Sequence, residues 1–403
     1  MKKCVITSAA RTPVGAYLGG LKEIPVEKLA TVAVQEALNR SNLDGKEVDE
    51  VILGHVISST DAPNLARTVA LLAGLESAPG LTLNRLCGSG IQAVISAAQE
   101  IQTDGAGVVV AGGAESLSRV PYYLPLSVRY QPFRNGSKQV LCANEMSHSN
   151  AQPAPLYPPI HMGITAENVI ARHAISREDQ DLFAYQSQMK AKAAMENGRF
   201  AEEIIPVAIE TKKGTVLFSA DEHPKPDTSL EILAKLKPAF KKDGSVTAGN
   251  ASGMNDGAAA LVIMAEEKSK SLGLKPMASV ADYAITGLDP LVMGLGPVSA
   301  IQKLLAKTGL RLQDIGLIEI NEAFAGQVLG CLKELDMYMG TALYERLNVN
   351  GGAVALGHPL GMSGARLVGT LAYEMNHRQV RYGIASACIG GGQGIAVLLE
   401  NDI

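Results

Sequence analysis

The sequence predicts an α/β protein made of two similar halves, with a long segment inserted after the first. Three observations predict this fold class. Short runs of β-branched or small residues alternate with alanine-rich helical patterns, which is typical of layered α/β proteins. Similar motifs recur in the same order near the start and near the end of the chain. The region from Pro121 to about Asn250 differs in character, with many prolines and tyrosines at its start.

The strands and helices of both halves are predicted from their periodicity. Strands are expected at residues 51–53, 108–111 and 318–320. Two helices begin near Gly90 and Gly364, because apolar residues follow at helical spacing in each case: Ile91, Val94, Ile95 and Ala98, then Leu367, Val368, Leu371 and Met375. The motif SGIQAV matches SGARLV at a separation of roughly 270 residues. We interpret this as an internal duplication, since three elements recur in order.

The inserted segment is predicted to be irregular at first and helical later. Residues 121–159 contain seven prolines, which is typical of a long irregular stretch. A helix is expected at 177–197, where Ser176 and Asp179 have capping-box spacing. The predicted division is 1–120 for the N-terminal half, completed by 251–272, then 121–250 for the inserted loop domain and 273–403 for the C-terminal half. An insertion of this size is expected to form a lid or a substrate-binding subdomain.

The composition limits the class of protein. The chain has 403 residues, of which 47% are hydrophobic and 19% are charged, with a net charge of -4. It is long enough to bury its cores without depending on disulfides. Basic residues are scattered and outnumbered by acidic ones, which argues against nucleic acid as a partner. No stretch approaches about 18 uninterrupted apolar residues, so we expect no membrane span.

The cysteines indicate reduced thiols. Their number is odd and they are widely spread, unlike a disulfide scaffold or a zinc site: Cys4, Cys87, Cys142, Cys331 and Cys388. The first apolar stretch, residues 4–10, is too short and too polar for a signal peptide. We therefore expect a cytoplasmic protein without a bound metal.

Cys87 is the first candidate catalytic residue. It lies in NRLCGSG, where a short strand turns through two glycines into a helix. A helix N-terminus favours a thiolate, which is the reactive form of cysteine. A buried structural cysteine is the alternative, since free cysteine is among the most buried residue types. The Gly-x-Gly turn favours the nucleophile.

Three further segments supply what an acyl-transfer site needs. They are NEAF from Asn321, GHP from Gly357 and CIGGG from Cys388. His358 is suited to accept the Cys87 proton, a second thiol at Cys388 to move a proton, and the glycine N–H groups to approach an oxyanion. Each segment alone also fits a plain turn, helix start or glycine hairpin. Because equivalent parts of duplicated halves face one another, we expect the segments to meet at one place.

Six motifs together resemble the thiolase family, in the family order and across essentially the whole chain: NRLCGSG, HMGITAEN, NASGMNDGAA, NEAFA, VNGGAVALGHPLGMSGAR and CIGGGQG. The resemblance implies a duplicated, layered α-β-α-β-α fold with a loop domain inserted in its first half. It also implies assembly into a homodimer or a homotetramer. The match is poorest at residues 122–159 and 332–346.

The resemblance implies a role for each candidate catalytic residue. Cys87 is the nucleophile that becomes acylated, His358 activates it, and Cys388 is the acid and base. Asn321, through a water, joins His358 in one oxyanion hole. The backbone N–H groups of Cys87 and Gly390 form the second.

A coenzyme A (CoA) site is also implied. Ser252 is expected near the pantetheine, and a tunnel is expected to be lined by His161, Met162, Phe240, Ala248, Ala323 and Phe324. The residues agree in part, since Phe240 and Met162 offer apolar wall. Met162 and Phe240 also fit a plain core position, and His161 fits a satisfied structural histidine.

The implied activity is acyl transfer between CoA thioesters, without a cofactor. Two acetyl-CoA molecules would condense to acetoacetyl-CoA and CoA through an acyl-cysteine, and thiolysis is the reverse. The HMG triplet at residues 161–163 favours short-chain family members. Two alternatives stay open. One is a 3-ketoacyl-CoA thiolase of fatty-acid β-oxidation with broader chain length. The other is a catalytically silent CoA-binding protein, although none of the four catalytic side chains is missing.

Overall fold

The structure is a computed structural model that describes residues 2–130, 137 and 139–402. Its strands are Cys4–Arg11 (β1), Gly15–Ala16 (β2), Glu50–Gly54 (β3), Gly80–Leu83 (β4), Val108–Ser116 (β5), Tyr122–Tyr123 (β6), Leu141–Cys142 (β7), Val207–Thr211 (β8), Gly214–Phe218 (β9), Asn255–Ala265 (β10), Ala278–Gly287 (β11), Leu317–Ile320 (β12), Tyr382–Ile389 (β13) and Gln393–Glu400 (β14). Its α-helices are Val26–Arg40 (α1), Leu65–Leu72 (α2), Ser89–Gln102 (α3), Ser127–Tyr130 (α4), Ala143–Ser149 (α5), Met162–His173 (α6), Arg177–Glu196 (α7), Leu230–Ala234 (α8), Glu266–Ser271 (α9), Gly296–Thr308 (α10), Ala325–Glu334 (α11), Ala353–Leu356 (α12) and Leu360–Arg378 (α13).

The main sheet joins two similar sets of strands edge to edge. Its order is β12-β13-β14-β11-β1-β10-β5-β3-β4, and β2 adds to β10. The two sets meet where β1 and β11 pair antiparallel. In the first set β3 pairs parallel with β4 and β5. In the second set β12 pairs parallel with β13, and a parallel bridge from Ile318 to Leu347 takes the place of β4. The same pairing pattern therefore occurs twice.

The helices complete an α-β-α-β-α arrangement. Helices α1 and α2 pack on the first set of strands, and α10 packs on the second. Helices α3 and α13 lie side by side and contact strands of both sets. The apolar residues predicted to line these two helices are all buried. The first turns of the two helices lie together, since a Cβ on Gly90 would lie 2.3 Å from the Ala365 nitrogen.

The strands and helices predicted for both halves are present. The strand predicted at residues 108–111 is longer than expected, since β5 continues to Ser116. Helix α7 begins after Ser176, whose Oγ accepts a hydrogen bond from the Asp179 N–H at 3.0 Å. Residues 121–159 are less irregular than expected, because they contain α4, α5 and the paired strands β6 and β7. Residues 131–136 and 138 of this segment, including Pro132, lie outside the described residues.

Candidate active site

Cys87 lies in a sharp turn between β4 and α3. Leu86, the residue before it, has a φ of 46°, which is uncommon for a residue with a side chain. Ser89 fixes this turn, because its Oγ accepts from the Arg85 N–H at 2.8 Å and donates to the Leu86 carbonyl at 2.7 Å. The strained turn therefore presents Cys87 at the start of the helix.

Cys87 is partly buried, and its surroundings favour the neutral thiol. Burial raises the pKa of this thiol to about 11, although the backbone N–H groups of Gly390 and of Cys87 itself act to lower it. The negative charge of Glu115 raises it slightly further. The thiolate expected from the helix N-terminus is therefore outweighed by burial. A base has to take the proton when the sulfur reacts.

His358 has the hydrogen-bonding of a general base. Its Nδ1 lies 2.6 Å from Ser363 Oγ, and that hydroxyl donates to the Pro359 carbonyl at 2.8 Å. A hydroxyl has one hydrogen, so Ser363 accepts from Nδ1–H, and Nε2 is left with its lone pair. Asn321 Nδ2 lies 3.3 Å from Nε2 and donates to it. The structure thus brings His358 and Asn321 together as expected.

Asn321 follows directly after β12. Its own backbone and the side chain of the next residue, Glu322, hold it in place. The Asn321 N–H donates to the Ser386 carbonyl on β13 at 2.9 Å. The Glu322 carboxylate accepts from Ser187 Oγ at 2.7 Å, from Asn348 Nδ2 at 2.8 Å and from the Val354 N–H at 3.2 Å. The NEAF segment is therefore tied to the segment that precedes His358.

Cys388 is the buried thiol near the end of β13. Its pKa is raised well above the ordinary value, first by burial and then by the negative charges that Cys87 and Cys331 carry when ionised. The turn that carries Cys87 packs against the residue that follows Cys388, since a Cβ on Gly88 would lie 2.5 Å from Ile389 Cδ1. Gly390 lies two residues after Cys388, and its N–H contacts the Cys87 sulfur. The nucleophile, the second thiol and the predicted oxyanion donors therefore meet.

A row of rings leads toward these residues. His161 caps α6 by accepting from the Gly163 N–H at 3.1 Å, and its ring stacks on Phe240 at 4.7 Å. Phe240 in turn meets Phe324 edge to face at 6.0 Å. Burial lowers the pKa of His161, which favours the neutral ring. Next to His161, the Met162 sulfur lies 3.4 Å from where a Cβ on Gly390 would be.

The remaining predicted CoA residues lie on two paired loops. The Ser252 N–H donates to the Ala323 carbonyl at 3.0 Å, which places NASG against NEAF. Ala248 is exposed, four residues earlier. Met162 belongs to a buried hydrophobic cluster and the partly buried Phe240 packs against it, so both residues also have a core role.

Several residues around His358 were missed by the sequence reasoning. Asn255 Oδ1 accepts from the His358 N–H at 2.9 Å, and Glu115 Oε2 accepts from the Gly361 N–H at 2.9 Å. A signal for Glu115 was available, since it follows the strand predicted at 108–111 in the segment VVVAGGAES. Ser363 stands at the position that matches Ser89 in the duplicated motif, which could have indicated it.

The described part of the chain contains neither a metal-binding cluster nor a membrane-spanning helix. No group of three or more His, Cys, Asp or Glu residues there is arranged to hold a metal ion. No helix in that part is long and apolar enough to cross a membrane.

Comparison with known proteins covers almost the whole chain. Residues 4–267 match the family model described as "Thiolase, N-terminal domain", and residues 274–401 match "Thiolase, C-terminal domain". The chain is 48% identical over 397 residues to an acetyl-CoA acetyltransferase of Chromobacterium violaceum, and 98% of each chain is covered. It is similar to the crystal structure of the Bacillus anthracis acetyl-CoA acetyltransferase, with a TM-score of 0.93, 46% identity and 99% of each chain covered. It is also similar to human mitochondrial 3-ketoacyl-CoA thiolase in complex with CoA, with a TM-score of 0.92 and 43% identity, covering 100% of this chain and 98% of that one.

Proposed function

The chain belongs to the thiolase family, and from this premise we propose that it is an acetyl-CoA C-acetyltransferase. It condenses two acetyl-CoA molecules to acetoacetyl-CoA and CoA, or cleaves acetoacetyl-CoA with CoA in reverse. The observation that carries this proposal is that the turn of Cys87 packs against Ile389, the residue after Cys388, and against the start of the helix that follows His358. His358 is in turn hydrogen-bonded to Asn321. Acyl transfer followed by carbon–carbon bond formation needs one thiol as nucleophile and another group as base.

In the first half-reaction the acetyl group moves to Cys87. His358 Nε2 takes the thiol proton as the sulfur attacks the thioester carbonyl, which overcomes the raised pKa. The N–H groups of Cys87 and Gly390 stabilise the oxyanion of the tetrahedral intermediate, each by ~3 kcal/mol if a donor here resembles those in other enzymes. CoA leaves as the thiol after taking the proton from His358.

In the second half-reaction Cys388 removes an α-proton from another acetyl-CoA. We place the thioester oxygen of this substrate against the side-chain N–H of Asn321, which can donate a hydrogen bond to the enolate oxygen. The enolate attacks the acetyl carbonyl, the bond to Cys87 sulfur breaks, and Cys388 returns the proton to Cys87.

We propose that CoA lies along the row of rings formed by His161, Phe240 and Phe324. Met162, Ala323 and the exposed Ala248 extend this path, and Ser252 lies beside the pantetheine. Four exposed lysines flank Phe240 and supply positive charge for the CoA phosphates: Lys235, Lys237, Lys241 and Lys242. The similarity to a thiolase structure with CoA bound supports this placement.

A 3-ketoacyl-CoA thiolase acting on longer chains is the second candidate, because one of the similar structures has that function. The short-chain proposal is favoured by the 48% identity to an acetyl-CoA acetyltransferase and by the HMG triplet at residues 161–163. CoA-dependent cleavage of acetoacetyl-CoA and of 3-ketohexadecanoyl-CoA tests this. A higher kcat/KM for acetoacetyl-CoA supports the proposal, and an equal or higher value for the long chain moves the protein to the second candidate. Failure to cleave either contradicts both.

We further propose a homodimer or homotetramer in the cytoplasm. Strand β4 is an edge of the sheet, and Leu81 on it is exposed together with Leu71 and Leu72 on α2. An apolar sheet edge of this kind favours pairing with another chain. The free cysteines fit a reducing compartment. Light scattering after gel filtration measures the mass of the particle.

We also propose that the chain divides into an N-terminal half at 1–120 with 251–272, an inserted loop domain at 121–250 and a C-terminal half at 273–403.

A further inference from the structure

Glu115 is a buried carboxylate at the end of β5 that joins two loops of the site. Its side chain is 1% exposed. Oε2 accepts from the Val56 N–H at 3.0 Å and from the Gly361 N–H at 2.9 Å, while Oε1 accepts from the Ile57 N–H at 3.1 Å. Gly361 lies three residues after His358, at the start of α13. One side chain therefore ties the loop after β3 to the segment that carries His358.

Three buried side chains accept hydrogen bonds from the backbone of the segment that carries His358. Glu322 accepts from the Val354 N–H, Asn255 from the His358 N–H, and Glu115 from the Gly361 N–H. Glu115 holds the last of these points, where the segment becomes helix α13. At that point the backbone packs directly on the sheet, since a Cβ on Gly361 would lie 2.6 Å from the carbonyl oxygens of Gly54 and Ala114.

The Glu115 charge also raises the pKa of the Cys87 thiol. The same carboxylate thus contacts the segment of the base and acts electrostatically on the nucleophile. It is not placed to touch substrate in the mechanism above, because its oxygens are used by backbone N–H groups. Its second neighbour is His55, whose Nδ1 lies 3.2 Å from Oε1.

We propose that Glu115 is a positioning residue for acyl transfer, which holds the start of helix α13 so that His358 faces Cys87. This inference rests on the proposed function. A carboxylate suits the position because both of its oxygens accept hydrogen bonds. A glutamine would turn its NH₂ group toward a backbone N–H at one of the two oxygens. An aspartate keeps both acceptors but is shorter by one methylene.

The first test compares Glu115→Gln with Asp49→Asn. Asp49 is a matched control at the other end of β5, where its carboxylate accepts from the Gly107 N–H at 2.7 Å and the Val108 N–H at 2.9 Å. We expect kcat for acetoacetyl-CoA cleavage to fall about 10-fold or more in Glu115→Gln. KM for both substrates should stay within about 3-fold, as expected for a residue that touches neither. An unchanged kcat in Glu115→Gln overturns the inference.

The second test asks whether Glu115 acts through His358. Acetylation of Cys87 by acetyl-CoA is followed by intact mass in the wild type, in each single variant and in Glu115→Gln/His358→Ala. We expect Glu115→Gln to slow acetylation in the wild-type background but not further in the His358→Ala background. If the acetylation rate of the double variant falls by the product of the two single-variant losses, Glu115 acts independently of His358 and the inference is overturned. If Glu115→Gln does not fold, Glu115→Asp takes its place in both tests, with the same expectation.

A measurement without activity separates this inference from the proposed function. Amide hydrogen exchange of the peptide that contains residues 353–363 should become faster in Glu115→Gln and stay unchanged in Asp49→Asn. Unchanged exchange in Glu115→Gln overturns the inference whatever the activity. A wild type that forms no acetyl-cysteine refutes the proposed function. A wild type that acetylates at the same rate as Glu115→Gln refutes the positioning role alone.

Discussion

Gly90 and Gly364 bring the backbones of helices α3 and α13 into direct contact. A Cβ on Gly90 would lie 2.3 Å from the Ala365 nitrogen, and a Cβ on Gly364 would lie 2.4 Å from the Ile91 nitrogen. Each glycine thus faces the residue that follows the other, so the contact is symmetric between the duplicated halves. Because Cys87 and His358 lie shortly before these glycines, the crossing sets how closely the two helix starts approach.

We expect Gly90→Ala and Gly364→Ala each to lower the free energy of unfolding by about 1–3 kcal/mol. The added methyl group would meet backbone atoms, which cannot rotate away as a side chain does. Urea unfolding measures the change. Gly287→Ala is the control, since the nearest atom to its Cβ would be the Gly392 oxygen at 4.0 Å. Equal unfolding midpoints for Gly90→Ala and Gly287→Ala would contradict the close crossing.

The sequence shows the repeated motif that begins with SG, and from it the duplicated halves and their two central helices could be predicted. Periodicity is a local property, and it placed the apolar faces of α3 and α13 correctly. The segments NRLCGSG, NEAF, GHP and CIGGG were expected to meet because duplicated halves face one another. Their predicted chemical roles remain a prediction, since the structure shows their geometry and not their activity.

Other parts of the site could not be predicted, because they depend on contacts between distant parts of the chain. Glu115 binds an N–H group 246 positions away, and Asn255 binds one 103 positions away. No local pattern marks such partners. The raised pKa of Cys87 was missed for the same reason, since burial by tertiary packing outweighs the helix N-terminus that the sequence indicates.

The two thiols are expected to fail at different steps when each is replaced by serine. Cys87→Ser should form no acetyl-enzyme from acetyl-CoA. Cys388→Ser should still be acetylated, while its condensation rate falls by roughly 10³-fold, because only the proton transfer is lost. Intact mass measures the first step and acetoacetyl-CoA formation measures the second. Cys142→Ser, in the short strand β7, is the control and should keep both acetyl-enzyme formation and acetoacetyl-CoA formation. Equal loss of acetyl-enzyme in the two active-site variants would contradict this division of labour.

Ser363 is expected to keep His358 in the form that accepts a proton. Its hydroxyl accepts from Nδ1–H, and without it the hydrogen is free to move to Nε2. We expect Ser363→Ala to lower kcat for thiolysis by roughly 10- to 100-fold with KM nearly unchanged. Steady-state kinetics measure both constants.

Ser299→Ala is the matched control for Ser363→Ala. Ser299 lies in the first turn of α10, and its hydroxyl also donates to a carbonyl, that of Gly296, at 3.2 Å. Its kcat should equal that of the wild type. If Ser363→Ala also keeps full kcat, the hydrogen bond to Nδ1 does not hold the tautomer.

We expect the folded protein to lose stability in acid because of His223. It packs beside Gly253, and burial, followed by the charge of Lys225, lowers its pKa to about 4. The unfolded chain has a histidine pKa of about 6.5, so the neutral ring stabilises the fold fully above pH ~6.5 and progressively less as pH falls toward 4. Between pH 7.5 and 4.5 this costs roughly 2–3 kcal/mol. Urea unfolding at the two pH values should therefore show a smaller loss in His223→Gln than in the wild type. A loss of the same size in both would mean that protonation of His223 does not contribute.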